Sequence, residues 1–420
     1  MMSLILRKKK IWMRQMKRNN QVKQTNTKSM ITLFLAIGLI ISIIVSKQVQ
    51  DSMLNKISIV SAIGIDKNEK GYIASIQIYN PTANSKEGAA EIGAYTYSAQ
   101  GRTIPEAIDR IHNKLARTIF LDNTEVAVLG ESLVKSDEIS SITHYFMRES
   151  NLPANIKIVI SKGVKAEKLL QIFTPVQKIS GNRLDEMLTR KRESWGNLTD
   201  ITSNKIKEMV NRKRTELTIP YISIKGDLLK GSSKDNIEKA TPEALIEIEG
   251  LAVFKHQRFS YWLSSSESNL YGLTKTKIRD TTLITKCQRG SGYVTWKDVR
   301  GKPVIQIQDK KGAPAFLLQL QIKGKLSDVS CNLDTSTIKA ISSLEHDAEL
   351  ELQKQINQLI VKTQNKKTDI NGFGEVLYRK QPKRWNKVKN NWNSVYSTAQ
   401  IQTNVKVDLM DIGEISSSLK

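Results

Sequence analysis

AFLLQLQIKGKL, Ala315 to Leu326, sets Phe316, Leu318, Leu320 and Ile322 at every second position. A period of two is that of a strand with one buried face. Downstream, Ile338, Ile341, Leu344, Ala348, Leu352, Ile356 and Leu359 recur at steps of three and four. This stripe predicts a long helix that begins after Asp334 as N-cap and runs to about Lys362. From Gln400 to Met410, Ile401, Thr403, Val405, Val407 and Leu409 alternate with polar residues, so a terminal strand with one wet face returns to the sheet. Strand, helix and strand together read as a sheet carrying a helix, the α+β class.

Working back toward the N-terminus, strands are expected at Val304–Gln308, Gly292–Val299, Thr281–Lys286, Ala244–Phe254 and Leu217–Ile224, with Gly250–Leu263 as a hairpin turning at His256-Gln257-Arg258. Residues from about Gln177 to Arg214 lose strand character. Earlier still, Ile57–Ile65 and Tyr72–Tyr79 flank the polar turn Asp66–Gly71, and a third strand fits Ile92–Ala99. Thr103-Ile104-Pro105-Glu106 then has the form of a capping box. Strands at Thr124–Leu129 and Asn155–Ser161 are separated by a helix over Ser136–Arg148. Breaks near 200 and 277 divide the region into about three mixed sheet-plus-helix domains, 51–200, 201–276 and 277–420.

The chain has 420 residues, 65 Lys+Arg against 41 Asp+Glu, a net charge of +24 and 39% hydrophobic residues, which excludes a disordered tail or a mini-protein. Two cysteines, Cys287 and Cys331, exclude a disulfide framework and a cysteine-rich metal site; a single bridge between them would be incidental. Residues 1–29 hold nine of the basic residues and no acid. MITLFLAIGLIISIIVS, Met30 to Ser46, follows without a charge, and its length of ~25 Å reaches the short end of what crosses a bilayer. The preferred reading is an uncleaved transmembrane signal anchor over 30–46, with 1–29 a basic cytoplasmic tail and the rest outside. A cleaved signal peptide and a buried core helix are the alternatives.

His112, His144, His256 and His346 stand in unrelated contexts, and no nucleotide-binding, nucleophile-elbow or zinc motif is present. The sequence therefore advertises no catalytic set, no cofactor and no metal. Arg379, Lys380, Lys383, Arg384, Lys387 and Lys389 mingle with Tyr378, Trp385 and Trp392. Such a mixture suits a solvated face, anionic lipid heads or nucleic acid. The spacing of Phe373, Leu377, Trp385, Val388 and Trp392 favours aromatics packed on a sheet with cations in water. An extracytoplasmic position argues against nucleic acid.

DINGFGEVLYRKQPKRWNKVKNNWNSVY, Asp369 to Tyr396, with its following strand, resembles the C-terminal signature of the Ger(x)C family, the lipoprotein (C) subunit of nutrient germinant receptors in endospore-forming bacteria. Val60–Gly71, Gln77–Pro81, Gly101–Ala107, Arg117–Leu133 and Gly250–Lys255 are similar to further family segments. The resemblance implies three α+β domains and a non-catalytic subunit in the inner spore membrane, needed for nutrient-triggered germination. It also implies polytopic A-type and B-type receptor subunits as partners, and no small-molecule substrate bound directly. Two departures are clear: no cysteine precedes Cys287, so the family's lipid-modified cysteine has no counterpart, and Asp122-Asn123 stand where the family has Gly-His. Phe373, Gly374, Glu375, Tyr378, Arg379, Trp385 and Trp392 are the candidate partner-interface residues. For most of them core packing is the plainer reading, and Glu375 with Arg379 is spaced for a helical ion pair. A cell-envelope enzyme and a basic nucleic-acid-binding protein are the competing classes.

Overall fold

The computed structural model describes Met16 and residues 36–43, 56–80, 92–287, 291–308, 314–331 and 337–411. Residues 36–43 are helical, with Ile37, Leu39, Ile40, Ile41 and Ile43 exposed. Among the described residues no helix is long and apolar enough to cross a membrane. The other residues of the expected anchor, 30–35 and 44–46, and the basic tail apart from Met16, lie outside the described residues.

Ser58 onward forms a second, separate unit. Its larger sheet has the order β3-β2-β1-β5-β6-β7-β8-β9, with β4 paired to β1. The strands are β1 (Ile57–Asn68), β2 (Gly71–Tyr79), β3 (Ala94–Gly101), β4 (Thr118–Phe120), β5 (Val126–Gly130), β6 (Lys157–Ser161), β7 (Thr218–Gly226), β8 (Ala244–Lys255) and β9 (Arg258–Leu263). Strands β1, β5, β6 and β7 run parallel, and antiparallel pairs flank them on both sides. Every residue of β5 is buried, as expected of a parallel strand covered on both faces. One face is covered by α1 (Ile104–His112), α2 (Glu131–Ser136), α3 (Ile139–Arg148) and α6 (Ser203–Arg212). The other is covered by α4 (Ala166–Leu170) and α5 (Ser180–Trp195), and the short helices α7 (Leu228–Gly231) and α8 (Asp235–Glu238) lie between β7 and β8. Helices α5 and α6 occupy the polar stretch without strand character, and the sheet continues through residue 200 into β7, β8 and β9.

Local sequence sets the connections. At the β1–β2 turn Gly71 has φ +124°, and a Cβ there would lie 2.4 Å from the Gly101 carbonyl oxygen, so only glycine fits. The Thr103 hydroxyl accepts the Glu106 N–H at 3.2 Å, but Glu106 reaches back to the N–H of Arg102, not of Thr103, so the expected capping box is half formed. The β8–β9 hairpin turns on His256 and Gln257, at φ +48° and +72°. Two left-handed residues match the twist of the strands they join.

The second sheet has the order β10-β11-β12-β13. It is built from β10 (Ile278–Lys286), β11 (Tyr293–Gln308), β12 (Ala315–Val329) and β13 (Gln400–Asp411), the last parallel to β12. The long helix α10 (Ile338–Asn365) lays Leu344, Ala348, Leu352, Ile356 and Leu359 on Leu318, Leu320, Ile322, Val405 and Val407. Its N-cap is Thr337, whose hydroxyl accepts the Ala340 N–H at 3.2 Å; Asp334, the expected cap, lies outside the described residues. The same core takes in Leu251, Val253 and Leu263 of the first sheet, and Leu270 and Leu273 of α9 (Ser265–Lys275). Cys287 and Cys331 are bonded, with Cα atoms 6.4 Å apart, tying the end of β10 to the end of β12. The bridge is thus a structural tie across the sheet and not the incidental one expected.

Candidate functional site

After α10 the chain makes the turn Asp369-Ile370-Asn371-Gly372 and enters α11 (Phe373–Lys380), α12 (Pro382–Val388) and α13 (Trp392–Ser397). The turn closes around a buried carboxylate. Asp369 Oδ1 accepts the N–H groups of Gly372 at 2.7 Å and Phe373 at 3.1 Å, and Oδ2 accepts Gly374 N–H at 2.7 Å and Trp392 Nε1–H at 3.0 Å. One side chain thereby satisfies the first donors of α11, where the helix dipole also favours negative charge. Burial pushes the Asp369 carboxyl up, while the N–H donors and the charge of Lys275 draw it back.

This turn is clamped to α9 and to the first sheet. Tyr271 donates to the Ile370 carbonyl at 2.9 Å, Lys275 Nζ to the Asn371 carbonyl at 3.0 Å, and the Glu216 N–H to the Asp369 carbonyl at 2.9 Å. Asn371 Nδ2 donates to Thr274 Oγ1 at 2.7 Å, and Tyr261 and Thr368 share a hydroxyl contact of 2.8 Å. Burial pulls the Lys275 amine down to about 8. Gly372 sits at φ +84°, a backbone conformation strained for any residue with a side chain, and a Cβ there would also press on Lys275 Nζ at 2.8 Å.

The seven residues singled out in the sequence fall into two sets. Phe373, Gly374, Trp385 and Trp392 are buried. The Phe373 ring lies 5.1 Å from Phe316, the Trp385 and Trp392 rings lie 5.4 Å apart, and a Cβ on Gly374 would lie 2.7 Å from the Arg214 carbonyl oxygen. Glu375, Tyr378 and Arg379 reach the surface together. Glu375 pairs with Arg379 at 2.6 Å and with Arg214 at 3.4 Å, and the Arg214 guanidinium sits 3.2 Å over the Tyr378 ring. Partial burial raises the Glu375 carboxyl, but hydrogen bonds from the two arginines outweigh it and hold the group below its ordinary value. Arg379, Lys380, Lys383, Lys387 and Lys389 are exposed, the cations facing water as their spacing suggests.

Beside the joint lies a cleft of about 550 Å³ whose polar lining includes Lys213, Glu216, His256, Lys389 and Asn393. Glu216 accepts Asn393 Nδ2–H at 2.6 Å and the His256 N–H at 3.2 Å, and burial raises its carboxyl. Arg214, Glu216 and Lys275 were not legible as site residues: each belongs to no motif and lies far in sequence from the turn it meets. Asp369 was visible only as the first residue of the signature. Among the described residues no group of His, Cys, Asp or Glu could hold a metal ion.

Two family models match, the spore germination protein N-terminal domain over residues 51–224 and the spore germination B3/GerAC-like C-terminal domain over 249–413. Spore germination protein KC of Bacillus subtilis (strain 168) is 28% identical over 371 residues, 86% of this chain and 91% of that protein. Spore germination protein B3 of the same organism is 20% identical over 86% of this chain and 93% of its own length. A crystal structure of the GerBC protein is similar over 83% of this chain and 96% of that one, with 17% identity and a TM-score of 0.49. With both domains matched in order and the second ending on the Asp369 turn, its three helices and β13, the chain belongs to the Ger(x)C family of spore germination proteins.

Proposed function

We propose that this protein is a non-catalytic, membrane-anchored subunit of a spore germinant receptor, working beside polytopic A-type and B-type subunits in the inner spore membrane. The observation that carries the reading is the match of both family domains. The joint around Asp369 meets the first domain through Arg214 and Glu216, which bond to Glu375, the Asp369 carbonyl and Asn393, and its remaining polar groups are consumed within the second. A disulfide suits the oxidising side of a membrane, where residues 47–420 lie if Met30–Ser46 spans it with the basic tail inside. Partner contact falls to the surface set, Glu375, Tyr378 and Arg379 with the neighbouring lysines; Phe373, Gly374, Trp385 and Trp392 hold that surface in shape from below.

The test is affinity purification of the full chain from detergent-solubilised spore membranes. A- and B-type subunits should co-purify, and Tyr378→Ala with Arg379→Ala should lower their yield while the protein's melting temperature is kept. Spores that lack the protein yet hold normal levels of an assembled, responsive receptor would refute the reading.

A further inference from the structure

The second sheet has helix α10 on one face and solvent on the other, and the wet face is cationic. In the β12–β13 register Asp408 stands opposite Lys323 and Asp411 opposite Lys325; in the β11–β12 register, by contrast, Lys297 lies opposite Lys325 and Arg300 opposite Lys323, with Lys302 one pair further along. These five cations and Lys406 on β13 are all exposed. Lys325 is paired with Asp298 at 3.0 Å and Lys406 with Glu349 at 2.9 Å, while Asp408 accepts Gln321 Nε2–H at 3.2 Å. Lys297, Arg300, Lys302 and Lys323 have no ion pair among the described residues.

Like charges directly opposite one another weaken a strand pair. At the start of α1 the signs alternate instead, Glu106 being shared by Arg102 just before the helix and Arg110 within it. Exposed aliphatics stand among the cations: Ile284 is 59% and Val304 40% accessible. With strands ~4.8 Å apart and residues ~3.3 Å apart, the four cations fall within roughly 15 Å of one another. Such a patch of cations with short apolar contacts matches a layer of lipid phosphates.

We propose that this face of the second sheet docks on the anionic phospholipid headgroups of the membrane in which the chain is anchored. The inference rests on the anchor reading given above. Ten residues, Lys47 to Lys56, separate the apolar stretch from β1, a tether of at most ~35 Å. The folded region therefore meets the bilayer continually, and attraction over a Debye length of ~8 Å selects which face turns to it.

The experiment uses the full chain reconstituted in vesicles of phosphatidylcholine alone or with phosphatidylglycerol, floated on a gradient and then treated with an amine-acylating reagent read by mass spectrometry. Lys297, Lys302 and Lys323 should be labelled about fivefold less with phosphatidylglycerol present, with recovery in ~0.5 M salt, while Lys339 and Lys354 on α10 stay unchanged. Arg300→Glu with Lys323→Glu should abolish the protection of Lys297 and Lys302 without lowering the melting temperature. Floated protein labelled equally in both vesicles overturns the docking alone. Protein that does not float overturns the anchor and the docking with it. Protection by an added oligonucleotide but not by phosphatidylglycerol overturns the lipid assignment in favour of nucleic acid.

Discussion

Asp369 binds three backbone N–H groups and one indole N–H with its two oxygens, out of contact with water. Asp369→Ala leaves those donors buried and unpaired, and should cost about 3–5 kcal/mol in urea unfolding, with Asp369→Asn costing less because it keeps an acceptor. Lys275 supplies a pH test. Its amine is held at about 8 in the fold, below its ordinary value of 10.5 in the unfolded chain. Between those values the unfolded chain binds more protons, so this residue makes stability rise with pH from about 8 to 10.5 and opposes folding below 8. In Lys275→Met that rise should flatten, read as melting temperature against pH for both proteins. The signature stretch was legible in the sequence, but the role of Asp369 was not, because Lys275 and Trp392 reach it only through tertiary structure.

Along β13, Val407 and Leu409 donate their N–H groups to Glu349 at 3.2 Å and Glu345 at 2.7 Å, so α10 shields the open edge of the second sheet. Glu345→Ala with Glu349→Ala should cost about 1–3 kcal/mol and promote association on heating, seen by denaturation and light scattering. Removing the Cys287–Cys331 tie, which spans 44 residues, should cost about 2–4 kcal/mol in the same assay. Strands and helices were the most legible level: Leu318, Leu320 and Ile322 and the stripe from Leu344 to Leu359 share one core, and Phe316 lies in the adjoining aromatic cluster; Ile338, counted into the stripe, is instead exposed in the first turn of the helix. Cap details were less so. Glu106 turns to Arg102 because that N–H, too, needs an acceptor, a choice between neighbours that spacing does not decide.

At the scale of the molecule, β8 and β9 complete the sheet begun by β1, although the second family domain already starts within β8. A fragment ending at residue 224 would expose the β7 edge where Thr218 to Ile224 pair with β8. It should aggregate on size-exclusion chromatography, whereas a fragment carried to residue 264 should be better behaved. Which strands pair was not legible, since hydrophobic period marks a strand but not its neighbour, and the parallel pairs join segments tens of residues apart. The Trp392 indole, bonded to the Asp369 carboxylate and lying against Trp385 and Tyr396, has an optical consequence. Any loosening of the turn admits water to that ring and shifts its emission to the red, so the difference spectrum against Trp392→Phe gives an intrinsic, label-free report of the joint in intact membranes.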